Sequence, residues 1–338
     1  WTEPDGTGFA VKTATLQGGN WSRPVTITTS NSLFVNWADF PTVAAFNDGT
    51  LAVSWLQENT NIPYAYDINI ALSSDAGQTW GSPIVPHDDQ STRQHGFLTL
   101  LPTERDEMIA VWLDAREYNS QSPGDSFGNA VQLRSTTIGK DGTLGKDIPL
   151  DLRACSCCQT SAAITEDGTV LIAYRDRTAD EIRDISIVRR HNGVWSGPVN
   201  VHADGWEISG CPVNGPAIDA QATDAVVAWF TGADNIATIK VAFSEDSGVT
   251  FGPAFQVDSG ESVGRVGTLM LATGDALISW VEWTSDGEVL MLCRATKNDG
   301  CVARQTITEH AAAGSFNFPK LARSGDTIYL AWTQPIDS

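Results

Sequence analysis

Three of the chain's six cysteines, Cys155, Cys157 and Cys158, fall within four positions of the segment RACSCCQTSAA, residues 153 to 163. Sulfur at that density can form disulfides, hold a soft cation as thiolates, or exchange electrons. The total is even, and Cys293 and Cys301 flank the short run RATKNDG, which favours disulfides throughout. The expected scheme joins Cys211 to one of the trio, adds a vicinal Cys157–Cys158 bridge, and closes a hairpin with Cys293–Cys301. No metal or other cofactor is then required. The alternative is copper or zinc held by His95, Cys155, Cys157, Cys158 and Cys211, although CSCC is not a standard zinc spacing. A redox-active thiol is the third reading.

Whether such residues meet depends on the elements that carry them. One unit recurs along the chain: a short apolar segment, an acidic or glycine turn, then an alternating strand ending in an aromatic. It reads FPTVAAFNDGTLAVSW, GFLTLLPTERDEMIAVW, QTSAAITEDGTVLIAY, GPAIDAQATDAVVAW, GTLMLATGDALISW and FPKLARSGDTIYLAW. The closing aromatics Trp55, Trp112, Tyr174, Trp229, Trp280 and Trp332 are spaced by 57, 62, 55, 51 and 52 residues, which is the period of a repeat architecture. Two further strand-like runs follow each of the first five units, such as DINIALS and GSPIVPH, so each repeat holds four short strands.

The chain is therefore expected to be all-β, a single domain over 1–338 built as a six-bladed β-propeller of four-stranded blades. The last unit stops after its two inner strands. Its outer pair is available in GFAVKTATL and RPVTITT, so the ring is expected to close with blade 6 shared between 9–30 and 315–334. Closure of this kind removes exposed sheet edges. No helix longer than a turn or two is required, and the longest polar loop runs from Arg116 to Asn129.

The turn SSDAGQTW, Ser73 to Trp80, matches the S-x-D-x-G-x-T-W Asp box, and SEDSGVTF, Ser244 to Phe251, matches it with Phe for Trp. With the sixfold repeat, these BNR-type turns resemble the sialidase superfamily over essentially the whole chain. The box itself is a fold mark: its Asp can accept backbone N–H bonds and its Gly permits positive φ. The resemblance places a site at the opposite end of each blade, near the axis, where loops entering the first strand and leaving the second converge.

Those loops supply Trp37 and Asp39, Arg93 and His95, Asn214, and Arg265 on entry, and Asp114, Arg116, Tyr118, Arg175, Asp176, Arg177 and Glu282 on exit. Glycoside hydrolysis needs two carboxyls about the scissile bond, one of them kept protonated by its surroundings. Asp39, Asp114 and Glu282 are the candidate catalytic carboxyls by repeat position, and Tyr118 is a candidate nucleophile in the sialidase manner. Trp37, Arg93, His95, Arg116, Arg175, Asp176, Arg177, Asn214 and Arg265 are candidate substrate-binding residues. Sialidases grip a sugar carboxylate with three arginines. In this chain WADFP stands where the family has an Arg-Ile-Pro motif, so Asp39 occupies the first arginine's place and would repel such a substrate.

A net charge of −20 disfavours nucleic acid and anionic membrane surfaces as partners. No run of 18 apolar residues could insert in a bilayer, and the start WTEPDGTGFAV lacks a signal peptide's basic and apolar regions, so any signal peptide is absent or already removed. The expected protein is secreted or periplasmic, monomeric, and takes a carbohydrate or small polar ligand. It is a sialidase-like glycoside hydrolase or related carbohydrate-active enzyme acting on a polar or acidic glycan, and not a standard sialidase. A non-catalytic glycan- or protein-binding propeller and a metal-dependent redox protein are the alternatives.

Overall fold

The computed structural model describes residues 1–60, 62–118, 130–308, 311–312, 314 and 316–333. Among them the chain is all-β: its one helical element is a single 3-10 turn, Ala233–Asn235. Most of the polar loop from Arg116 to Asn129 lies outside the described residues, as do parts of the last unit. The chain divides into two compact units, Trp1–Ser156 and Cys157–Ser338.

In the first unit, Thr2–Asp5, Gly8–Thr13 and Val25–Ser30 form a three-stranded antiparallel sheet with Gly8–Thr13 in the middle. The edge strand Thr2–Asp5 is an addition to the expected pair. A second sheet runs Val43–Ala45, Leu51–Glu58, Tyr66–Ser73, with an isolated bridge from Ile70 to Ile84 in place of a full fourth strand. The third has all four strands in meander order, from His95–Pro102 through Glu107–Asp114 and Val131–Gly139 to Ile148–Ala154.

The second unit repeats the meander. Ser161–Ile164, Val170–Arg175 and Ile185–His191 lead one sheet, Ala217–Gln221, Asp224–Thr231 and Thr238–Ser244 the next, and Ser262–Met270, Ala276–Thr284, Gly287–Thr296 and Gly300–Thr306 a third. Lys320–Ser324 and Thr327–Ala331 pair only with each other among the described residues.

The repeat unit folds in this way because alternation puts every second side chain on a face covered by the neighbouring sheet. The closing aromatics Trp55, Trp112, Tyr174, Trp229 and Trp280 are all buried, whereas Trp332 is exposed. Each buried aromatic withdraws a large apolar area from water, worth about 2–3 kcal/mol apiece by transfer.

The two sequence-matched turns share one bonding scheme. Asp75 Oδ1 accepts from the N–H groups of Gln78 and Thr79 and Oδ2 from Thr79 Oγ1, and Ser73 Oγ accepts from the Gly77 N–H. Asp246, Thr250, Ser244 and Gly248 repeat the same contacts. Gly77 and Gly248 have φ of 84° and 72°, the left-handed region that a side chain would strain.

Candidate active site

In the first unit the strand Tyr66–Ser73 begins, His95–Pro102 begins and Glu107–Asp114 ends beside one another. Tyr66 lies next to Gln94 in an isolated parallel bridge, and Asp114 lies opposite His95. Asp39 reaches this place from the loop before Val43–Ala45. Both its carboxyl oxygens stand 2.9 Å from the Phe97 N–H, and Oδ2 is 3.4 Å from the Tyr66 hydroxyl. Phe97 presents that N–H because its φ is 55°, turning the amide out of the ladder. Burial pushes the Asp39 carboxyl up to about 7, against the opposing pull of the Phe97 N–H and the Tyr66 hydroxyl. Burial and the neighbouring Asp39 also raise the Tyr66 phenol.

Gly96 lets the carboxyl approach. A Cβ there would overlap Asp39 Oδ2 and come within 2.8 Å of Tyr66 Cε2. Gly96→Ala is therefore expected to displace Asp39 and destabilise the protein by about 1–3 kcal/mol, as overpacking does, measured by denaturant unfolding. An unchanged midpoint would contradict this packing.

The second unit contains the same device with a different side chain. Asn214 Oδ1 accepts from the N–H of Arg265, whose φ is 58°, at 2.8 Å, and a Cβ on Gly264 would overlap the Asn214 amide. A neutral amide thus performs in one sheet the positioning that Asp39 performs in another. The additional property of Asp39 is its proton.

Beside Asp39 lies a dense polar cluster that sequence reasoning largely missed. The rings of His87 and His95 stack 3.8 Å apart and 5° from parallel. Asp67 Oδ1 sits 3.4 Å from His87 Nε2 and 3.3 Å from His95 Nδ1, and Asp89 Oδ1 sits 3.1 Å from His87 Nδ1 and 3.0 Å from His95 Nε2. Burial opposes a charge on His95, but the carboxylates of Asp67, Asp114 and Asp89 outweigh it and raise the imidazole's pKa. Asp67 is held below the usual carboxylate range: burial would raise it, and hydrogen bonds from His87, His95 and Asn59 overcome that.

Asp114 is fully buried and accepts from Trp112 Nε1 at 2.8 Å and from Arg116 through N, Nε and Nη2 at 2.8–2.9 Å. The same guanidinium meets Asp88 at 2.9 Å, Asp89 at 3.2 Å and Asp147 at 2.6 Å, and Arg134 bonds Asp147 at 2.7 Å. Five carboxylates therefore surround two guanidiniums and two imidazoles. Asp89, His95 and Asp114 bring three potential metal-ligating atoms together, but the Arg116 Nη2 already lies against both carboxylates. Asp67, His87 and His95 also group. In parallel stacked rings the in-plane nitrogen lone pairs do not converge on one point, so these rings do not form a chelate in this arrangement. Both His95 nitrogens face carboxylates, Nδ1 that of Asp67 and Nε2 that of Asp89.

The arginines expected to clamp an anion are committed within the protein. Arg175 is buried, donates to the carbonyls of Asn214, Arg183 and Phe230 at 2.6–2.8 Å, and lies over the Trp206 ring. Arg177 pairs with Glu181, and Arg265 bonds the Phe316 carbonyl and lies near Glu288. Asp176 accepts from Ser186 Oγ and from the Arg177 N–H. Glu282 is buried, with Oε1 accepting the Ser259 N–H. Arg93, Trp37 and Tyr118 are exposed. Near Asp39, Phe34 stacks on Tyr66 at 4.1 Å and meets Tyr64 edge-on at 6.1 Å, leaving Tyr64 and Trp37 open to solvent.

In the second unit the first strands of four sheets line a cavity of about 240 Å³, with Ser161, Asp219, Thr268 and Lys320 on its wall. Lys320 is surrounded by protein and yet wetted by this cavity, and burial brings its amine down to about 8. The sequence offered no signal for it, because Lys320 reads as an ordinary strand-edge lysine.

The cysteines follow the expected scheme only in part. Cys157 bonds Cys211 and Cys293 bonds Cys301, while Cys155 and Cys158 belong to neither disulfide. The vicinal Cys157–Cys158 bridge is not formed, because Cys157 is already joined to the loop that carries Cys211.

No protein-family model matches the sequence, and no curated protein matches it. Solved structures do match in fold. A Hadza microbial sialidase is 15% identical, with a TM-score of 0.57 over 90% of this chain. The NanB sialidase from Streptococcus pneumoniae is 10% identical, with a TM-score of 0.58 over 90% of this chain. An α-L-arabinanase from Penicillium chrysogenum is 14% identical, with a TM-score of 0.55 over 85% of each chain. This chain spans 64% and 66% of the lengths of the two sialidases. At such identities the likeness shows the fold alone.

Proposed function

We propose that this chain, whose fold is that of the sialidase-like propellers, is a carbohydrate-active enzyme that cleaves a glycosidic bond in a neutral polar glycan, with Asp39 as its acid/base residue. The observation that carries the reading is a carboxyl at about 7, held where Asn214 shows that an amide would serve for structure alone. A group that holds its proton near neutrality can give it to a leaving oxygen and take it back from water. The structural neighbours include glycosidases of two kinds, sialidase and arabinanase, which supports the reaction class. Exposed Trp37 and Tyr64 supply flat apolar faces on which a sugar ring can stack. Tyr118, also exposed, is the nucleophile candidate.

The sugar acid of a sialidase substrate is disfavoured. Asp39 takes the place of an arginine, Arg116, Arg175, Arg177 and Arg265 are engaged by the protein, and the net charge is −20. The same reading takes 1–338 as a single six-bladed ring, with the first strands completing the last blade and with Asp-box turns at Ser73–Trp80 and Ser244–Phe251. It places the protein outside the cytoplasm, where the Cys157–Cys211 and Cys293–Cys301 disulfides persist.

A panel of neutral and acidic glycosides and polysaccharides tests this. Turnover of a neutral glycan that is lost in Asp39→Asn is the expected result; turnover only of sialosides, or unchanged turnover in the variant, overturns it. A second reading, glycan binding without cleavage, is favoured by the full burial and saturation of Asp114. It predicts saturable glycan binding with no product at any pH.

A further inference from the structure

The chain has six lysines, and five of them are ordinary by position. Lys12, Lys140, Lys240 and Lys297 each meet a carboxylate, which favours the ammonium form, and Lys146 is exposed. Lys320 opens the strand Lys320–Ser324 and is the lysine on the wall of the second unit's cavity of about 240 Å³. The same wall carries Ser161, Asp219 and Thr268 from three other first strands. Ser161 Oγ accepts the Ile218 N–H at 3.1 Å, which turns its own proton away from that amide. The Thr268 hydroxyl oxygen is buried with no hydrogen-bond partner among the described residues. Such a hydroxyl is uncommon and marks a place that a polar guest can complete. We propose that this cavity takes a short hydroxyaldehyde and that Lys320 holds it as a reversible imine.

The volume equals that of roughly eight liquid waters at about 30 Å³ each, room for a small aldehyde and a few waters but not for a saccharide chain. Imine formation needs a neutral amine, and burial brings Lys320 down to about 8. About a tenth of the amine is then neutral at pH 7, against less than about one part in a thousand for a lysine at its ordinary value. Desolvation in a pocket is a usual way to make lysine a nucleophile toward carbonyls. The nitrogen lone pair attacks the carbonyl carbon, the C=O pair moves to oxygen, and the oxygen takes a proton while the nitrogen sheds one. A second transfer of the same kind expels the hydroxyl as water and leaves C=N in place of C=O. One amine and one aldehyde give one imine and one water, and nothing is oxidised or reduced. The hydroxyl beside the carbonyl is the group that Ser161 and Thr268 can bond. The inference is independent of the glycan reading, since neither Asp39 nor the aromatic faces take part.

The test incubates the full chain at pH 7 with glycolaldehyde and cyanoborohydride, which reduces an imine to a stable secondary amine, and locates the labels by peptide mass spectrometry. The other lysines serve as internal references. Lys320 is expected to be labelled at least ~10-fold faster than each of them. In competitive acetylation across pH, its rate should reach a plateau with a midpoint near 8. Oxidised dextran, an aldehyde polymer too large for the cavity, should label Lys146 and spare Lys320. Thr268→Val, which removes the hydroxyl and keeps the shape, should slow labelling of Lys320 about 2–10-fold, the worth of one hydrogen bond, and leave the other lysines unchanged. Labelling of Lys320 no faster than that of Lys146, labelling of Lys320 by the dextran, or a midpoint at the ordinary lysine value of about 10.4 would each overturn the proposal. So would labelling of Lys320 that is indifferent to Thr268→Val. All but the last are read on wild-type protein, so they stand even if the variant fails to fold.

Discussion

Replacing Arg116 with methionine should destabilise the protein by about 3–5 kcal/mol, the usual result of stripping one partner from a buried ionic cluster. The guanidinium touches Asp88, Asp89, Asp114 and Asp147 at 2.6–3.2 Å, and its own side chain is 12% exposed. Methionine keeps much of the volume, so the loss is electrostatic: Asp114 forfeits its two guanidinium donors and keeps the Trp112 indole and the Arg116 backbone N–H. The surviving backbone N–H bounds the effect from above. Asp88 is exposed and contributes little.

The pH dependence gives the expectation its sign. Without the guanidinium the carboxylates around it repel each other, and Asp89, whose carboxyl Arg116 helps to hold below the usual range, takes up its proton at higher pH than in the wild type. The deficit should be largest above pH 6 and shrink as pH falls toward 4. In thermal melts the deficit corresponds to a fall on the order of 10 °C near neutrality. Arg116→Lys should recover only part, because an ammonium cannot span four carboxylates in fork geometry. A deficit below about 1 kcal/mol, or one that does not vary with pH, would show the cluster to be much wetter than its burial implies.

Asp39→Asn should reduce turnover of the glycan substrate by roughly 10²–10⁴-fold, the contribution typical of a general acid. The variant should nevertheless fold, because Asn214 makes the equivalent contact with an amide. Its stability profile separates the proton from the shape. Asp39 is raised to about 7 in the folded protein, whereas an unfolded aspartate titrates near 4, so between these limits the folded state binds the extra proton. Stability conferred at low pH is therefore lost as pH rises from about 4 to about 7, and then stays level. A shift of this size corresponds to an effect on the order of 4 kcal/mol.

Asparagine has no proton to lose, so Asp39→Asn should match the wild type near pH 4 and exceed it at pH 8. Denaturant unfolding across that range measures the crossover. Parallel curves would mean that Asp39 is ionised in the native protein, and the acid role would fail with it. The activity of the wild type should fall above pH 7 as Asp39 gives up its proton.

Much of the strand plan was legible in the residues. Alternation and turn chemistry act over a few positions, so the inner strands, the paired turns at Asp75 and Asp246, and the burial of Trp112, Trp229 and Trp280 follow from local pattern. The hairpin bridge Cys293–Cys301 is equally local. By contrast, His87, Asp67, Asp89 and Asp147 carried no signal, since they lie on different strands and loops and nothing in HDD or YDINIA distinguishes them from surface acids. A pairing of HDD with the later WLDAR, an acid-rich run facing an arginine between acids, was the one available hint.

Which chemistry these groups perform is decided by burial and by neighbours brought from other sheets. Asp39, Asp114 and Glu282 looked equivalent by repeat position. Packing raises the proton affinity of Asp39 against Phe97 and Tyr66, pins Asp114 beneath Arg116, and ties Glu282 to Ser259. The arginine clamp dissolved for the same reason, because Arg175 faces carbonyls that only the folded sheets assemble. Local sequence determines where a strand runs and which face it buries. The proton affinity of a side chain is a property of the dielectric and charges around it, and these exist only once distant strands have packed.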